Sequence, residues 1–497
     1  MVGVIEDNEK IHELAIQALQ VMLAKFGPNH QFPTDAIWEF IPDGAAIKST
    51  KKPHQPRRLV KEGYLQDTGI KTKAQSGPRA GSPTTAYRFG HLLVPANAAS
   101  IGTIKPISTG RTSIITTSHS EAIRGIQEVM EADGYVVSSA ELANFFLAMT
   151  VSPLVILTGI SGTGKSLLPR KFAKFTKSHF QSIPVQPQWS DNSDLFGYVP
   201  TLAAQSFVQG KIIDSLLTAK RNPDVLTIAL LDEMNLAPVE HYFSDFLSVS
   251  ESRERKDDHH IGSAPLPIDL PSAPEPAFAS ICSELKGIEL PHNLRVVGTA
   301  NMDETTHLFS PKVLDRAFTI EFDDPDLTIF ANSGQNASDF LSFENLAKAV
   351  INPANAITIM EAQAQSQDLF EQIASWLNEI QGILSPAGIK FGYRTRDAIL
   401  LYLHFWREFG LSDVLAGCAA LDFCILQKIL PKISGSGDAL EEALNKLTQW
   451  LDRQSEAKDD LVGIEAEFLG SLERSREKVG RMLALLDTQG ATRYWGA

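Results

Sequence analysis

Eight consecutive residues, Gly159-Ile160-Ser161-Gly162-Thr163-Gly164-Lys165-Ser166, set three glycines ahead of a lysine and a hydroxyl. An apolar strand pattern, Leu154 to Thr158, leads into them, and a helical pattern, LLPRKFAKF, follows. Glycines let backbone N–H groups curl around oxyanions, a lysine so placed reaches the β- and γ-phosphates of a nucleotide, and the serine hydroxyl can hold Mg²⁺. Gly159, Ser161, Gly162, Thr163, Gly164, Lys165 and Ser166 are therefore the candidate phosphate-binding set, with Ser166 also a candidate metal ligand.

Hydrolysis needs a metal-linked acid and a group that activates water. In VLTIALLDEMN the run Leu226 to Leu231 ends in Asp232, a candidate Mg²⁺ ligand, and Glu233, which would polarise the attacking water. Further on, LRVVGTANMDETTH puts Asn301 at the end of another apolar run. In a parallel sheet the strand C-termini form the ligand edge, so Asn301 is expected beside the γ-phosphate, helping to position water; a turn Asn satisfying its own backbone is the alternative. In FSPKVLDRAFTIEF, Arg316 closes a short helix before a final strand. It could stabilise transition-state charge at a neighbouring subunit's nucleotide, or pair locally with Asp315 or Glu321.

The elements that must carry these residues read as follows. With 497 residues, 43% of them hydrophobic, the chain can bury several cores. Residues 1–92 hold three helical patterns and a basic hairpin, a winged-helix-like α+β domain; 93–119 is a small, polar linker. Residues 120–325 are the large α/β domain with an insertion at about 250–291, 326–435 an α-helical lid, and 436–497 a C-terminal helical extension that could dock on the lid or bind a partner. Adjacent His259 and His260 in the insertion are poorly spaced to share a metal and read as exposed.

Net charge is −14, unevenly spread. Between Ala45 and Leu92 ten Lys or Arg face two acids, a surplus of eight positive charges, leaving −22 for the rest. Lys51, Lys52, Arg57, Arg58, Lys61, Lys71 and Lys73 are the candidate DNA-binding residues, on a third helix and wing that could track phosphates; a protein-contact wing or a solvated loop is the alternative. Three scattered cysteines, Cys282, Cys418 and Cys424, make no disulfide framework or zinc knuckle. No apolar run approaches the roughly 18 residues of a membrane span, and MVGVIEDNEK is no secretory signal, so a cytoplasmic protein without a membrane partner is expected.

Together the phosphate loop, LLDEMNLAPVEHYFSDFLSVSE, GTANMDETTHLFSPKVLDRAF and FGYRTRDAILLYLHFW resemble the McrB-type branch of AAA+ proteins, near the dynein-related and MoxR groups, over residues 140 to 435. The resemblance implies an α/β P-loop AAA+ core with a helical lid, a homo-oligomeric ring, usually a hexamer, and ATP or GTP hydrolysis with Mg²⁺ between subunits. It also implies a separate McrC-like nuclease subunit driven in DNA restriction, with the N-terminal domain reading DNA. No nuclease site is legible in this chain. The McrB pattern after the sensor strand resembles MNTADRS, whereas AN here precedes MDETTH; the sensor role carries to Asn301 and Asp303, while guanine preference does not carry over. Arg394 or Arg396 would be the second sensor, reaching phosphate from the lid. Asp194, Leu195, Phe196, Gly197 and Tyr198 stand where this branch has loops facing the pore or partner. A MoxR-like chaperone that remodels protein complexes, or a regulator with a nucleotide switch, would share the core; the intact Lys165, Asp232, Glu233 and Arg316 argue against the switch.

Overall fold

The computed structural model describes residues 118–257, 260–302, 306–322, 343–455 and 463–495, and, within the first 113 residues, five strand segments and three single helical positions. The chain divides into two compact units, Met1–Ser113 and Ile114–Ala497.

In the first unit Leu65–Lys73 pairs antiparallel with Pro83–Phe89, which also pairs with Phe32–Pro33. The Gly- and Lys-rich stretch 69–73 of the basic hairpin is strand: Lys71 lies opposite Thr85, Thr72 opposite Thr84 and Lys73 opposite Pro83. Ladder pairing overrides the weak strand preference of Gly and Lys. Ala15, Leu19 and Leu59 are helical and fully buried.

The second unit begins with α1 (His119–Ala132) and α2 (Ser139–Val151), each opened by a reciprocal Ser–Glu capping box, Ser118 with Glu121 and Ser138 with Glu141. α2 is apolar nearly all round, with Phe145, Phe146 and Leu147 fully buried. It leads into β1 (Leu154–Gly159), followed by α3 (Leu167–Thr176), β2 (His179–Pro184), β3 (Thr227–Asp232), β4 (Leu294–Asn301) and β5 (Phe318–Glu321). All five strands are parallel, in the spatial order β5-β1-β4-β3-β2. β1, β3 and β4 sit in the middle as near-continuous apolar runs, the pattern of strands covered on both faces.

The 254–291 segment is woven into this core. A hairpin, Glu254–Asp257 with His260–Gly262, precedes helix Pro276–Leu285, and Leu266, Cys282, Leu285, Ile288 and Leu290 are buried. His259 and the side chain of His260 lie outside the described residues. Beyond β5 come α4 (Glu344–Ile351), α5 (Gln367–Leu384), α6 (Tyr393–Glu408) and α7 (Gly417–Lys428). Buried Asn144 of α2 accepts from Tyr402 and Gln427 at 2.9 and 2.7 Å, tying α6 and α7 to the core. The last helices, α8 (Asp438–Ser455) and α9 (Glu473–Gln489), pack on each other, α8 on α5 and α9 on α7. Lys478 of α9 reaches Glu321, the last residue of β5, at 2.6 Å, and Tyr494 reaches the same carboxylate at 3.1 Å. Among the described residues no helix is long and apolar enough to cross a membrane.

Candidate active site

β1 delivers the glycine-rich turn. Gly162 and Gly164 both take φ of +86°, a region where a Cβ is strained, and a Cβ on Gly164 would also stand 2.8 Å from the Tyr135 ring. Lys165 folds back into the turn: its Nζ donates to the carbonyls of Gly159 and Ile160 at 2.9 and 2.5 Å, and the residue is only 6% exposed. Ser166 stands immediately before the ten-residue α3, its side chain free of any capping bond to the helix. A cation enclosed in a glycine turn at a helix N-terminus is a receptor for oxyanions.

Parallel register brings the other groups to the same edge. Asn301 is paired with Gly159, and Leu231, the residue before Asp232, with Gly298. The Ser166 hydroxyl donates to Oδ1 of Asp232 at 2.8 Å. One hydroxyl and one carboxylate side by side fit Mg²⁺, a hard cation that keeps most of its positions for phosphate oxygens and water.

Glu233 turns away sharply. Its φ of +56° and ψ of +48° are left-handed, a strained conformation for a residue with a Cβ. Thr299 holds that corner: its hydroxyl accepts the Glu233 N–H at 2.9 Å and donates to Oδ1 of Asp232 at 2.7 Å. Asn301 Nδ2 lies 3.4 Å from Oε1 of Glu233. Asn235 in turn donates to the Asn301 carbonyl at 2.7 Å and fixes the end of β4. Thr299 and Asn235 were missed in the sequence; the signal for Thr299 is its place two residues before Asn301, on the same strand face. Asp303 lies outside the described residues.

Arg316, Arg394 and Arg396 are not joined to this cluster. Arg316 grips Glu251 with two nitrogens, at 2.7 and 3.0 Å, while Asp315 pairs with Lys432 and Glu321 with Lys478. Arg394 binds Glu251 as well, at 2.7 Å. Arg396 bonds Asp397 at 2.8 Å and lies over the Tyr393 ring. Arg316 precedes β5, whose Phe318 pairs with Val155 near the start of β1. It therefore sits at the N-terminal edge of the sheet, and a six-residue strand separates it from the turn by about 20 Å.

Leu195 and Phe196 are fully buried in the core, which corrects their reading as a pore-facing loop; Tyr198 is 44% exposed. Gly197 and Gly210 back onto each other's strands, where a Cβ would meet backbone at 2.3 and 2.2 Å. Lys51, Lys52, Arg57, Arg58 and Lys61 lie outside the described residues, and Lys71 and Lys73 are known by strand position alone.

Residues 346–491 match the model of a family described as a domain of unknown function, DUF8727. The match spans α4 to α9 together. No curated protein matches the chain. Among solved structures it is similar to the crystal structure of a provisionally assigned ATPase of Cytophaga hutchinsonii, at 16% identity and a TM-score of 0.38, over 62% of this chain and 87% of that one.

Proposed function

We propose that this chain is a Mg²⁺-dependent nucleoside triphosphatase of the McrB-type AAA+ branch, hydrolysing ATP or GTP in a ring and driving a separate nuclease subunit against DNA read by residues 1–92. The observation that carries the hydrolase reading is the convergence of Lys165, Ser166, Asp232, Glu233, Thr299 and Asn301 at one edge of a parallel sheet.

In this reading the turn and Lys165 take the phosphates, and Lys165 exchanges its bonds to two carbonyls for bonds to phosphate oxygens. Ser166 and Asp232 would hold Mg²⁺, which neutralises phosphate charge. Glu233 takes the proton from the attacking water, and Asn301 and Thr299 keep its carboxylate and backbone aimed. Arg316, about 20 Å from the turn of its own chain by strand length, would serve the nucleotide of a neighbour in a ring with heterologous contacts.

The test compares Mg²⁺-dependent hydrolysis of ATP and GTP by the wild type and Glu233→Gln. Turnover of either nucleotide that the variant abolishes supports the hydrolase; no turnover of either, with or without DNA, removes it. Reversing charge at Arg57 and Arg58 then separates the roles: loss of DNA retention with hydrolysis intact supports the restriction motor, whereas DNA retention that ignores both the variant and salt supports a remodelling chaperone.

A further inference from the structure

A cavity of about 490 Å³ is lined by residues of α2, the start of β4, the 254–262 hairpin and the lid. It lies at the N-terminal end of the sheet, opposite the phosphate-binding turn. Among the described residues three arginines and two carboxylates, Glu254 and Glu361, line it, and of the arginines only Arg255 is paired with a carboxylate. Arg255 pairs with Glu361. Arg295, 4% exposed, is held by main chain alone, donating to the carbonyls of Met149, His292, Leu294 and Val350 at 2.5, 2.7, 3.1 and 2.6 Å. Arg253 gives one bond to the His292 carbonyl at 3.2 Å, and its enclosed Nε has no acceptor.

Two guanidinium groups with no carboxylate partner among the described residues, Arg295 buried and Arg253 half-buried, are costly to hold. Burial pulls both below the ordinary arginine range, Arg253 to about 10, and the neighbouring Arg253 charge presses Arg295 further down. An arginine kept for packing alone would stabilise the fold better as an apolar residue. Arg295 already has four carbonyl acceptors and contributes mainly charge, so the N–H groups left for an anion are chiefly those of Arg253, and phosphate, with several acceptor oxygens, fits them. Asn352 and Thr358 add polar groups to the wall, while Ile261, Leu401 and Phe405 add an apolar side. That mixture fits an organic body behind the charged group.

We propose that this cavity is a second anion site, in which Arg253 and Arg295 receive the phosphate group of a small phosphorylated molecule. It uses none of the residues of the hydrolysis site and stands whether or not that site turns over nucleotide.

The experiment uses the full chain carrying Lys165→Ala, so that the glycine turn is disabled, and follows the melting temperature with inorganic phosphate or phenyl phosphate. At about 5 mM probe and millimolar affinity a rise of about 1 °C is expected. A larger rise with phenyl phosphate assigns a phosphate ester, and an equal or larger one with inorganic phosphate assigns the free ion. Adding Arg253→Met should erase the response and raise the melting temperature without probe, because an uncompensated charge has gone. The site is overturned if neither probe shifts the parent, if the Arg253→Met chain responds equally, or if that chain melts lower without probe.

Discussion

Arg316 and Arg394 bind the same oxygen, Oε1 of Glu251, each at 2.7 Å, although 78 positions separate them in sequence. One immediately precedes β5 and the other lies in the first turn of α6, so a single carboxylate sets the position of both. The Arg316 guanidinium, aided by Arg394, holds the Glu251 carboxyl below the ordinary glutamate range against a desolvation that would raise it.

That depression has a sign. A carboxylate with a lowered folded pKa contributes its stability above the unfolded value, near 4.5, and loses it as pH falls through the folded value. Glu251→Gln should therefore cost about 1–2 kcal/mol at pH 7, with the difference from wild type shrinking below pH 4.5. Urea unfolding at pH 7, 4.5 and 3.5 measures it; a difference that grows on acidification would contradict the ion-pair origin.

Arg316→Ala should lower turnover by about 10³-fold with nucleotide affinity little changed, the signature of a lost transition-state contact in trans. Mixing it with Glu233→Gln should restore part of the activity, because some boundaries then join an intact Glu233 to an intact Arg316. A mixture no more active than its components would place Arg316 outside catalysis.

Thr299→Val keeps the shape of β4 and removes the hydroxyl that joins the Glu233 N–H to Asp232. The buried groups left unpaired should cost about 1–3 kcal/mol, or roughly 10- to 100-fold in turnover. Half-saturation by Mg²⁺ should rise, and Thr299→Ser should recover most of both effects. Unchanged Mg²⁺ dependence in Thr299→Val would separate this residue from the metal.

Glu233→Gly trades activity for stability. Relief of the left-handed conformation should add about 1 kcal/mol, since glycine takes it freely, while loss of the carboxylate should lower hydrolysis by about 10²-fold or more. Differential scanning calorimetry beside a phosphate-release assay reads both. A variant that is both less stable and inactive would show that the backbone corner is not strained.

The glycine turn and the acidic strand end were legible because their chemistry is local: the spacing that encloses a phosphate lies within eight residues. Asn301 was legible from its place at the end of an apolar run. Thr299 was not singled out, because a threonine in a strand is ordinary until register sets it beside Asp232. Glu251 was invisible as the arginine partner, since it stands 65 positions from Arg316 and the pairing exists only once the segments around them have packed. Leu195 and Phe196 look like an exposed motif beside Asp194, Gly197 and Tyr198, yet their apolar surface decides that they go inside.

The buried contact between Lys478 and Glu321 spans 157 positions, and it sets an order of events during synthesis. A chain emerging from the ribosome completes β5 long before α9 exists, and until then the Glu321 carboxylate sits at the edge of a forming core without its cation. Glu321 is nearly enclosed in the finished protein, with 9% of its side chain accessible, so the nascent sheet must keep that edge hydrated. The last strand of the sheet is thus sealed only after residue 478 has been made, which couples maturation of the sheet to the arrival of α9.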